Sequence, residues 1–188
     1  MLLPIVKYGH PSLRQRGERI ERVTPALEQL VNDMLETMHQ AKGIGLAAQQ
    51  VGRALQLMVV DVREVVDRPS SLELDGQPAN VPAFMPLALI NPELKPFGLA
   101  CEAPEGCLSF PEIFGDVPRP EGVEVTALNS KGEPLHFRCG GLLSRVIQHE
   151  FDHLQGILFI DRMSLEIKQD LKPELNALMA ETRESLGK

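Results

Sequence analysis

Two histidines and a glutamate have the spacing of a metal site carried by one helix. His149 and His153 are four residues apart, and four residues of an α-helix turn about 400°, so both imidazoles project from the same face. Both could therefore bind one ion. Glu150 lies beside the first histidine, where a carboxylate can take a proton from water and return it to a leaving amine. The alternative is a chance match in a surface helix, because this HExxH pattern fixes only three positions.

A hydrolytic metal ion usually needs a third protein ligand, and the sequence offers several candidates. The extended HExxHxxGxxH site is excluded, because Phe159 occupies the position of its last histidine. Glu166 or Glu174 would complete the site of a gluzincin-like metallopeptidase, but both lie in a solvated segment of mixed charge. Cys107 is the better candidate, since it lies in a glycine-containing segment and a thiolate binds borderline metals strongly.

The motif residues need a helix to position them. Apolar residues recur at helical spacing over residues 142–155, and Gly156 is placed to stop this helix at its C-terminal end. A last helical region is predicted from Ser164 onward. Pro173 should kink that region or begin a second helical segment.

Two further elements are predicted upstream of the motif helix. Thr24 and Pro25 should start an amphipathic helix that ends near Gly43, since threonine is a good N-cap and proline is favoured in the first turn. Residues 55–62 are apolar and rich in valine, which predicts a buried strand. The apolar positions of the amphipathic helix are Leu27, Leu30, Val31, Met34, Leu35 and Met38.

A β-hairpin is predicted immediately before the motif helix. Residues 123–127 alternate between apolar and polar, residues 129–132 have turn chemistry, and residues 135–137 would form the returning strand. Residues 63–86, by contrast, contain turn-forming residues without periodicity, which predicts a long exposed loop insertion. The whole chain, residues 1–188, is expected to form one domain, with residues 164–188 as its helical C-terminal segment.

Composition and charge exclude several classes of function. The 188 residues carry a net charge of −7 and the pI is near 5.3, which argues against a primary nucleic-acid binder. No apolar run approaches the roughly 20 residues that a membrane-spanning helix needs. The start of the chain has no secretory pattern, so a cytoplasmic protein is expected. The odd number of cysteines, three, indicates free, catalytic or metal-bound thiols.

Three blocks of sequence together resemble the signature motifs of the peptide deformylases. The blocks are Gly-Ile-Gly-Leu-Ala-Ala-Gln-Gln at residues 43–50, Glu-Gly-Cys-Leu-Ser at residues 105–109 and Gln-His-Glu-Phe-Asp-His at residues 148–153. The flanking segments also follow the order of helices and strands of that family. The resemblance implies an α+β fold: a single domain in which largely antiparallel sheets pack around a central HExxH-bearing helix, followed by a helical C-terminus.

The resemblance implies a role for each residue of the site. Cys107, His149 and His153 would be metal ligands that leave one position for water, and Glu150 would be the general base and then the general acid. The catalytic group would also include Gln50, the backbone N–H of Leu108 and Gly45, of which the first two would stabilise the oxyanion. Without the motif, Gln50 would be taken for an ordinary polar loop residue.

Substrate-binding residues follow from the same resemblance. Ile44, Leu142 and Val146 would line an apolar pocket for a methionine side chain, although plain core packing is the alternative. The backbone of Gly43, Ile44 and Gly45 on one side, and of Glu105 and Gly106 on the other, would flank the peptide like strands.

Two arginines and two cysteines complete the set of residues considered. Arg119 would support the metal-bearing segment by pairing with Glu105, and Arg145 would place its aliphatic stem at the pocket rim. Cys101 and Cys139 have no motif support and are interpreted as ordinary thiols. A four-ligand structural zinc site that included Cys101 would leave no open position.

The implied reaction is hydrolysis of the N-formyl group from the formylmethionine that starts nascent proteins, with release of formate. One divalent metal ion per chain is expected, with Fe²⁺ favoured by the resemblance and Zn²⁺ or Ni²⁺ expected in some purified samples, whereas His₂Cys geometry alone favours zinc. N-formylmethionyl peptides are the expected partners, with no membrane and only weak, transient ribosome contact, because the C-terminal segment is slightly acidic. A gluzincin-like metallopeptidase and a non-catalytic, metal-stabilised binding module remain open alternatives.

Overall fold

The central element is a seven-stranded sheet in which every neighbouring pair is antiparallel. The computed structural model describes residues 1–187, so Lys188 lies outside the described residues. The order of strands across the sheet is β1-β2-β5-β6-β7-β3-β4. The strands are β1 (Gly45–Ala47), β2 (Leu57–Val60), β3 (Ser70–Leu74), β4 (Gln77–Pro78), β5 (Leu87–Cys107), β6 (Phe110–Leu128) and β7 (Pro134–Gly140).

Five α-helices surround this sheet, and together they confirm the predicted single α+β domain. Thr24 caps the first helix by accepting a hydrogen bond from the N–H of Leu27, as the sequence indicated. That helix ends at Gln40, before the expected Gly43. The helices are α1 (Pro25–Gln40), α2 (Val81–Phe84), α3 (Gly141–Leu154), α4 (Leu165–Asp170) and α5 (Lys172–Ser185).

Helix α3 is the predicted motif helix, and it lies almost fully buried against the sheet. It ends at Leu154, and Gly156 follows in the left-handed conformation with φ of 74°. Strand β2 explains how the core divides: Met58 and Val60 face α3, whereas Leu57 and Val59 face α1. A strand buried on both faces needs a continuous apolar run, which Leu57–Val60 supplies within the predicted segment 55–62.

Strands β5 and β6 form a long hairpin. The sequence predicted only the part of β6 that pairs with β7, at residues 123–127. Its two strands have 21 and 19 residues, and register shifts interrupt their pairing. The tip is a two-residue turn, Leu108–Ser109, between the paired residues Cys107 and Phe110. The hairpin therefore delivers Cys107 at the end of a strand, next to α3. The predicted second hairpin, β6 with β7, is confirmed.

The prediction of an exposed loop insertion at residues 63–86 is wrong. The segment contains β3, β4 and α2, and β3 extends the sheet by pairing with β7. The strands are short, with Leu72 buried in the core and Leu74 packed partly buried against it, so the apolar alternation covers only two positions. Asp75 and Gly76 both have positive φ and form the hairpin turn, so this Asp-Gly pair was a hairpin signal rather than a loop signal.

The C-terminal segment consists of two helices, since Pro173 lies in the first turn of α5 and begins a new helix. Leu175 is 5% exposed and packs with Leu13, Phe110 and Leu158 in a core cluster separate from those on the two faces of β2. Among residues 1–187, no helix combines the length and the hydropathy needed to cross a membrane.

Candidate active site

Three side chains meet where the β5–β6 hairpin tip touches α3. Donor atoms of Cys107, His149 and His153 lie within 4.8 Å of one another, and Cys107 Sγ is 3.4 Å from His153 Nε2. Over residues 1–187, this is the one group of three or more His, Cys, Asp or Glu side chains arranged to hold a metal ion. A thiolate with two imidazoles is a suitable donor set for a borderline divalent cation.

Glu105 determines how His149 presents its ring. Its Oε2 accepts a hydrogen bond from His149 Nδ1 at 2.9 Å, which leaves Nε2 as the nitrogen available to an ion. Burial raises the pKa of Glu105, but hydrogen bonds from His149 and Arg119 outweigh burial and lower that pKa to about 2. Glu105 is therefore ionised at neutral pH and lies against the donor group. Its negative charge would stabilise a cation bound by those donors.

His153 suits the role of a neutral ligand. Burial, followed by the charge of His149, lowers the pKa of His153 well below its usual value, so its imidazole keeps a free lone pair. Its Nδ1 is buried and has no hydrogen-bond partner among the described residues. Together with the anion beneath His149, these donors fit a single divalent metal ion.

A buried ionic network supports Glu105 from behind. Arg119 donates from Nε and Nη2 to the two carboxylate oxygens of Glu105, and from Nη1 to Asp152 at 2.9 Å. The arginine side chain is 4% exposed, so it is not a solvated surface residue. Arg162 reaches Asp152 from the surface at 2.7 Å.

Arg145 lines the cavity, as the sequence suggested, but its guanidinium turns inward. Its guanidinium is not held out at the pocket rim: it is buried, and donates to Glu105 at 2.9 Å, to the carbonyl of Val117 at 2.8 Å and to that of Cys101 at 2.8 Å. A buried anion attracts a second arginine into the interior. No sequence pattern indicated this contact, because 40 residues separate the two partners.

Glu150 is buried beside the donor group, and its Oε2 has no hydrogen-bond partner among the described residues. Burial raises the pKa of this carboxyl group to about 7. Strand β1 passes so close that a Cβ on Gly45 would lie 2.5 Å from Glu150 Oε1 and 2.8 Å from Val146 Cγ1. The site thus requires glycine at position 45 for reasons of space.

Gln50 lies in a short 3₁₀ helix, Ala48–Val51, and its side chain is fixed in one orientation. Its Oε1 accepts a hydrogen bond from the N–H of Ala47 at 2.8 Å. Its Nε2 is consequently directed to Cys107 Sγ and Ser109 Oγ, each 3.4 Å away. A buried amide fixed in this way is not an ordinary polar loop residue.

Leu108 is the first residue of the turn at the hairpin tip, where a backbone N–H lies outside the strand ladder. No acceptor for this N–H occurs among residues 1–187. The geometry therefore leaves one unpaired backbone donor, from Leu108, next to Cys107 in the chain, and one side-chain donor, from Gln50, 3.4 Å from Cys107 Sγ.

A cavity of about 600 Å³ opens on this group. Several of its walls were not foreseen: Lys7 comes from the N-terminal segment, Phe114 from β6, and Arg68 from the segment that was predicted to be a loop. No local sequence pattern marks these three. Gln50, Arg119 and His153 lie behind the cavity wall. The predicted residues that line the cavity are Gly43, Ile44, Gly45, Glu105, Gly106, Cys107, Leu108, Leu142, Val146, His149 and Glu150.

The other candidate ligands lie elsewhere. Glu166 and Glu174 are exposed on α4 and α5 and do not belong to the donor group. Cys101 is exposed, and Cys139 is buried in the core, where burial raises the pKa of its thiol to about 12.

Comparison with known proteins identifies the family. The family model described as polypeptide deformylase matches residues 2–169. A peptide deformylase of Methylacidiphilum infernorum is 50% identical over 178 residues, which cover 95% of this chain and 93% of that protein. One of Opitutus terrae is 46% identical and covers 97% and 96%.

Solved structures agree with the sequence comparison. The crystal structure of Arabidopsis thaliana peptide deformylase 1B with an inhibitor has a TM-score of 0.84 and 35% identity, covering 99% of this chain and 95% of that one. The Synechococcus elongatus deformylase in complex with actinonin has a TM-score of 0.74 and 39% identity, covering 96% and 85%. This chain belongs to the peptide deformylase family.

Proposed function

We propose that the protein removes the N-formyl group from the formylmethionine of nascent chains and releases formate. The observation that carries this proposal is a buried, unpaired carboxylate, Glu150, beside a Cys-His-His donor group at the floor of an open cavity. A hydrolase needs a group that moves protons next to the group that activates water. Membership of the deformylase family supplies the substrate class.

Cys107, His149 and His153 would hold one divalent ion, whose Lewis acidity makes water a better nucleophile and polarises a carbonyl. Glu105 would keep His149 in the tautomer that leaves Nε2 free. We propose Fe²⁺ as the native ion on the resemblance to the family. The chemistry of the donor set alone also suits zinc.

Glu150 would carry out both proton transfers of the reaction. Its carboxylate would accept a proton from the attacking water as the new C–O bond forms at the formyl carbon. It would then donate that proton to the amine nitrogen as the C–N bond breaks, which yields formate and a free N-terminus. A pKa raised by burial to about 7 suits a group that must alternate between acid and base near neutral pH.

Gln50 and Leu108 would stabilise the charge that develops on the formyl oxygen. Gln50 offers an amide donor that its hydrogen bond from Ala47 holds in one orientation, and Leu108 offers a backbone N–H at the hairpin turn; donors that need no reorganisation are the most effective. A formyl carbon carries only hydrogen, so the tight approach of Gly45 to Glu150 would admit it and reject an acetyl methyl group.

The cavity would bind the start of the peptide. Ile44, Leu142 and Val146 form an apolar wall for the methionine side chain. The extended backbone of residues 43–45 and of residues 105–106 would pair with the peptide from both sides, which gives affinity with little dependence on its side chains.

The competing functions receive less support from the geometry. A gluzincin-like peptidase would need Glu166 or Glu174 at the ion, but both are exposed outside the donor group. A non-catalytic binding module would have no use for Glu150 buried at the cavity floor. We further propose that the protein acts in the cytoplasm, with weak ribosome contact and no nucleic-acid specificity.

Formate release from a formyl-methionyl tripeptide by anaerobically purified protein tests the reaction, with the acetyl-methionyl peptide as the control substrate. Glu150→Gln should keep its metal and lose turnover by about 10²–10⁴-fold, the usual size of a general acid–base contribution. Cys107→Ala should lose metal as well as activity. A Glu150→Gln enzyme with normal turnover at matched metal content would remove Glu150 from the mechanism.

The metal proposal has a separate test. Anaerobic protein should contain iron by elemental analysis and lose formate release on exposure to air, because an accessible ferrous thiolate site oxidises. Protein that carries a full complement of zinc, is fully active and gains nothing from iron would contradict the iron proposal without affecting the proposed reaction.

A further inference from the structure

The N-terminal strap, residues 6–8, connects both of the proposed oxyanion donors. The N–H of Val6 donates to the carbonyl of Gln50 at 2.9 Å, and the N–H of Tyr8 donates to the carbonyl of Ser109 at 2.9 Å. Gln50 and the Ser109 turn belong to separate segments with no strand pairing between them. The strap is therefore a bridge between the two loops that must present their donors to one oxygen.

Lys7, at the centre of the strap, makes the only side-chain hydrogen bond from the strap to the turn among the described residues. Its Nζ donates to the carbonyl of Leu108 at 2.9 Å, across 101 residues of sequence. Lys7 forms no salt bridge within residues 1–187. The hydrogen-bond partner of its ammonium group is a neutral backbone carbonyl. Lys7 also lines the cavity, yet the proposed reaction gives it no part.

The contacted carbonyl belongs to the one peptide group that a tight turn can rotate. Type I and type II turns differ by a flip of the peptide between their two central residues, and type II requires positive φ at the second of them. Neither Leu108 nor Ser109 has positive φ, so the turn is of the unflipped kind. A hydrogen bond from Lys7 holds this peptide, and thereby the ψ angle of Leu108 and the position of the hairpin tip. The N–H of Leu108 belongs to the preceding peptide group, on the other side of the same Cα.

We propose that Lys7 is a positioning residue for the oxyanion: its ammonium anchors the hairpin tip through the Leu108 carbonyl, so that Leu108 keeps its own N–H, on the preceding peptide group, aimed at the formyl oxygen. This inference rests on the proposed function. It predicts an effect on the transition state and not on substrate binding, because Lys7 acts through the turn and not through contact with the peptide.

The first test replaces Lys7 and measures kcat and KM separately, together with melting temperature and metal content. Lys7→Met keeps the length of the side chain but has no donor, and it should lower kcat about 10–100-fold with KM nearly unchanged, the scale expected when a catalytic group is misplaced by a fraction of its reach. Lys7→Arg should recover most of the loss. Lys131→Met, at an exposed turn far from the cavity, is the matched control and should behave as wild type. Lys7→Ala serves if the Met variant is unstable.

The second test asks whether Lys7 acts through Leu108. Leu108→Pro removes the N–H at a turn position that favours proline and follows an extended residue, and it should lower kcat by about 10²–10³-fold, as for loss of one oxyanion donor. Leu108→Ala keeps the N–H and reports the loss of the side chain. In the Leu108→Pro background, Lys7→Met should have little further effect on kcat.

The outcomes separate the two levels of the argument. If wild-type protein releases no formate, the proposed function fails and Lys7 loses its role with it. If Leu108→Pro lowers kcat but Lys7→Met does not, the inference about Lys7 alone is overturned. It is also overturned if Lys7→Met raises KM at constant kcat, or if its effect is equally large in the Leu108→Pro protein.

Discussion

Glu105 is the central anion of the site. A buried carboxylate costs free energy of folding unless it is well paired. Arg119, Arg145 and His149 all donate to its two oxygens. The arginines thus allow an anion to be buried where it can orient a metal ligand. Asp152, in the middle of the HExxH motif, in turn accepts from Arg119 and extends the network to the surface.

Replacing each arginine in turn tests how much it contributes to the stability of the folded protein. Arg119→Met should destabilise the folded protein by about 3–5 kcal/mol, since it leaves Glu105 without its two-pronged partner and Asp152 without its buried one. Arg145→Met should cost less, about 1–3 kcal/mol, because Arg119 remains on Glu105 and the main losses are hydrogen bonds to backbone carbonyls. Urea denaturation at fixed metal content measures both.

Equal effects of the two substitutions would show that Arg119 has no special position. An Arg119→Lys variant provides a further comparison. Lysine keeps the charge but cannot donate to Glu105 and Asp152 with the same rigid fork, so it should recover only part of the stability.

At the scale of elements, the site depends on how closely β1 can run along α3. Gly45 is buried and its φ is not positive, so its conformation suits any residue and only space excludes a side chain. A Cβ there would press on Glu150 and Val146, both held by the helix. Glu150, the proposed general base, and Val146, in the proposed pocket wall, would have to move together.

Gly45→Ala should therefore lower kcat by about tenfold or more while metal content stays unchanged. Gly43→Ala is the matched comparison. Its Cβ would meet only the end of the Leu108 side chain, which can rotate away, so a clearly smaller loss is expected. Parallel measurements of kcat and bound metal decide the matter, and a Gly45→Ala enzyme with full turnover would refute the steric argument.

Sequence patterns over a few residues predicted the elements that depend on local contacts. They did not predict strand pairing between distant segments. The caps of α1 and α3 and the hairpin of β6 and β7 depend on residues a few positions apart, which a sequence displays. The first half of the β5–β6 hairpin pairs residues up to 38 positions apart, such as Ile90 with Leu128, and no local pattern reveals such pairing. Strand β3 was missed because its local partner, β4, has only two residues, and its longer pairing is with β7, far along the chain.

The same distinction separates the residues of the candidate site. The two histidines and Glu150 were readable from spacing on one helix, and Cys107 from its motif. Lys7 and the buried position of Arg145 were not, because each depends on a contact across 40 residues or more.

In the molecule as a whole, the C-terminal segment serves first to pack against the rest of the domain. Leu175 lies in the core, and the backbone of Met179 packs on Gly9, immediately after the N-terminal strap. Helix α5 therefore covers the segment that braces the turn at the active site. Its removal would disturb the catalytic domain, so a truncated protein is a poor probe of what the surface of α5 binds.

That surface has the wrong charge for ribosomal RNA. Between Ser164 and Gly187 the cations are Lys168, Lys172 and Arg183, and Glu166, Asp170, Glu174, Glu181 and Glu184 oppose them. Lys168 is further compensated by Asp161 at 3.8 Å. Affinity for RNA comes mainly from the release of counterions by uncompensated cations, and few remain in this segment.

Ribosomes should therefore not retain the full-length protein in co-sedimentation at physiological salt, and retention at low salt should disappear steeply as salt is added. The informative variant keeps the helices and reverses their cations: Lys168, Lys172 and Arg183 all changed to Glu. Its sedimentation should match that of the wild-type protein, and its melting temperature and formate release should show that the domain is intact. Tight wild-type binding at physiological salt that the triple variant loses would prove the charge argument wrong and make α4 and α5 the docking surface.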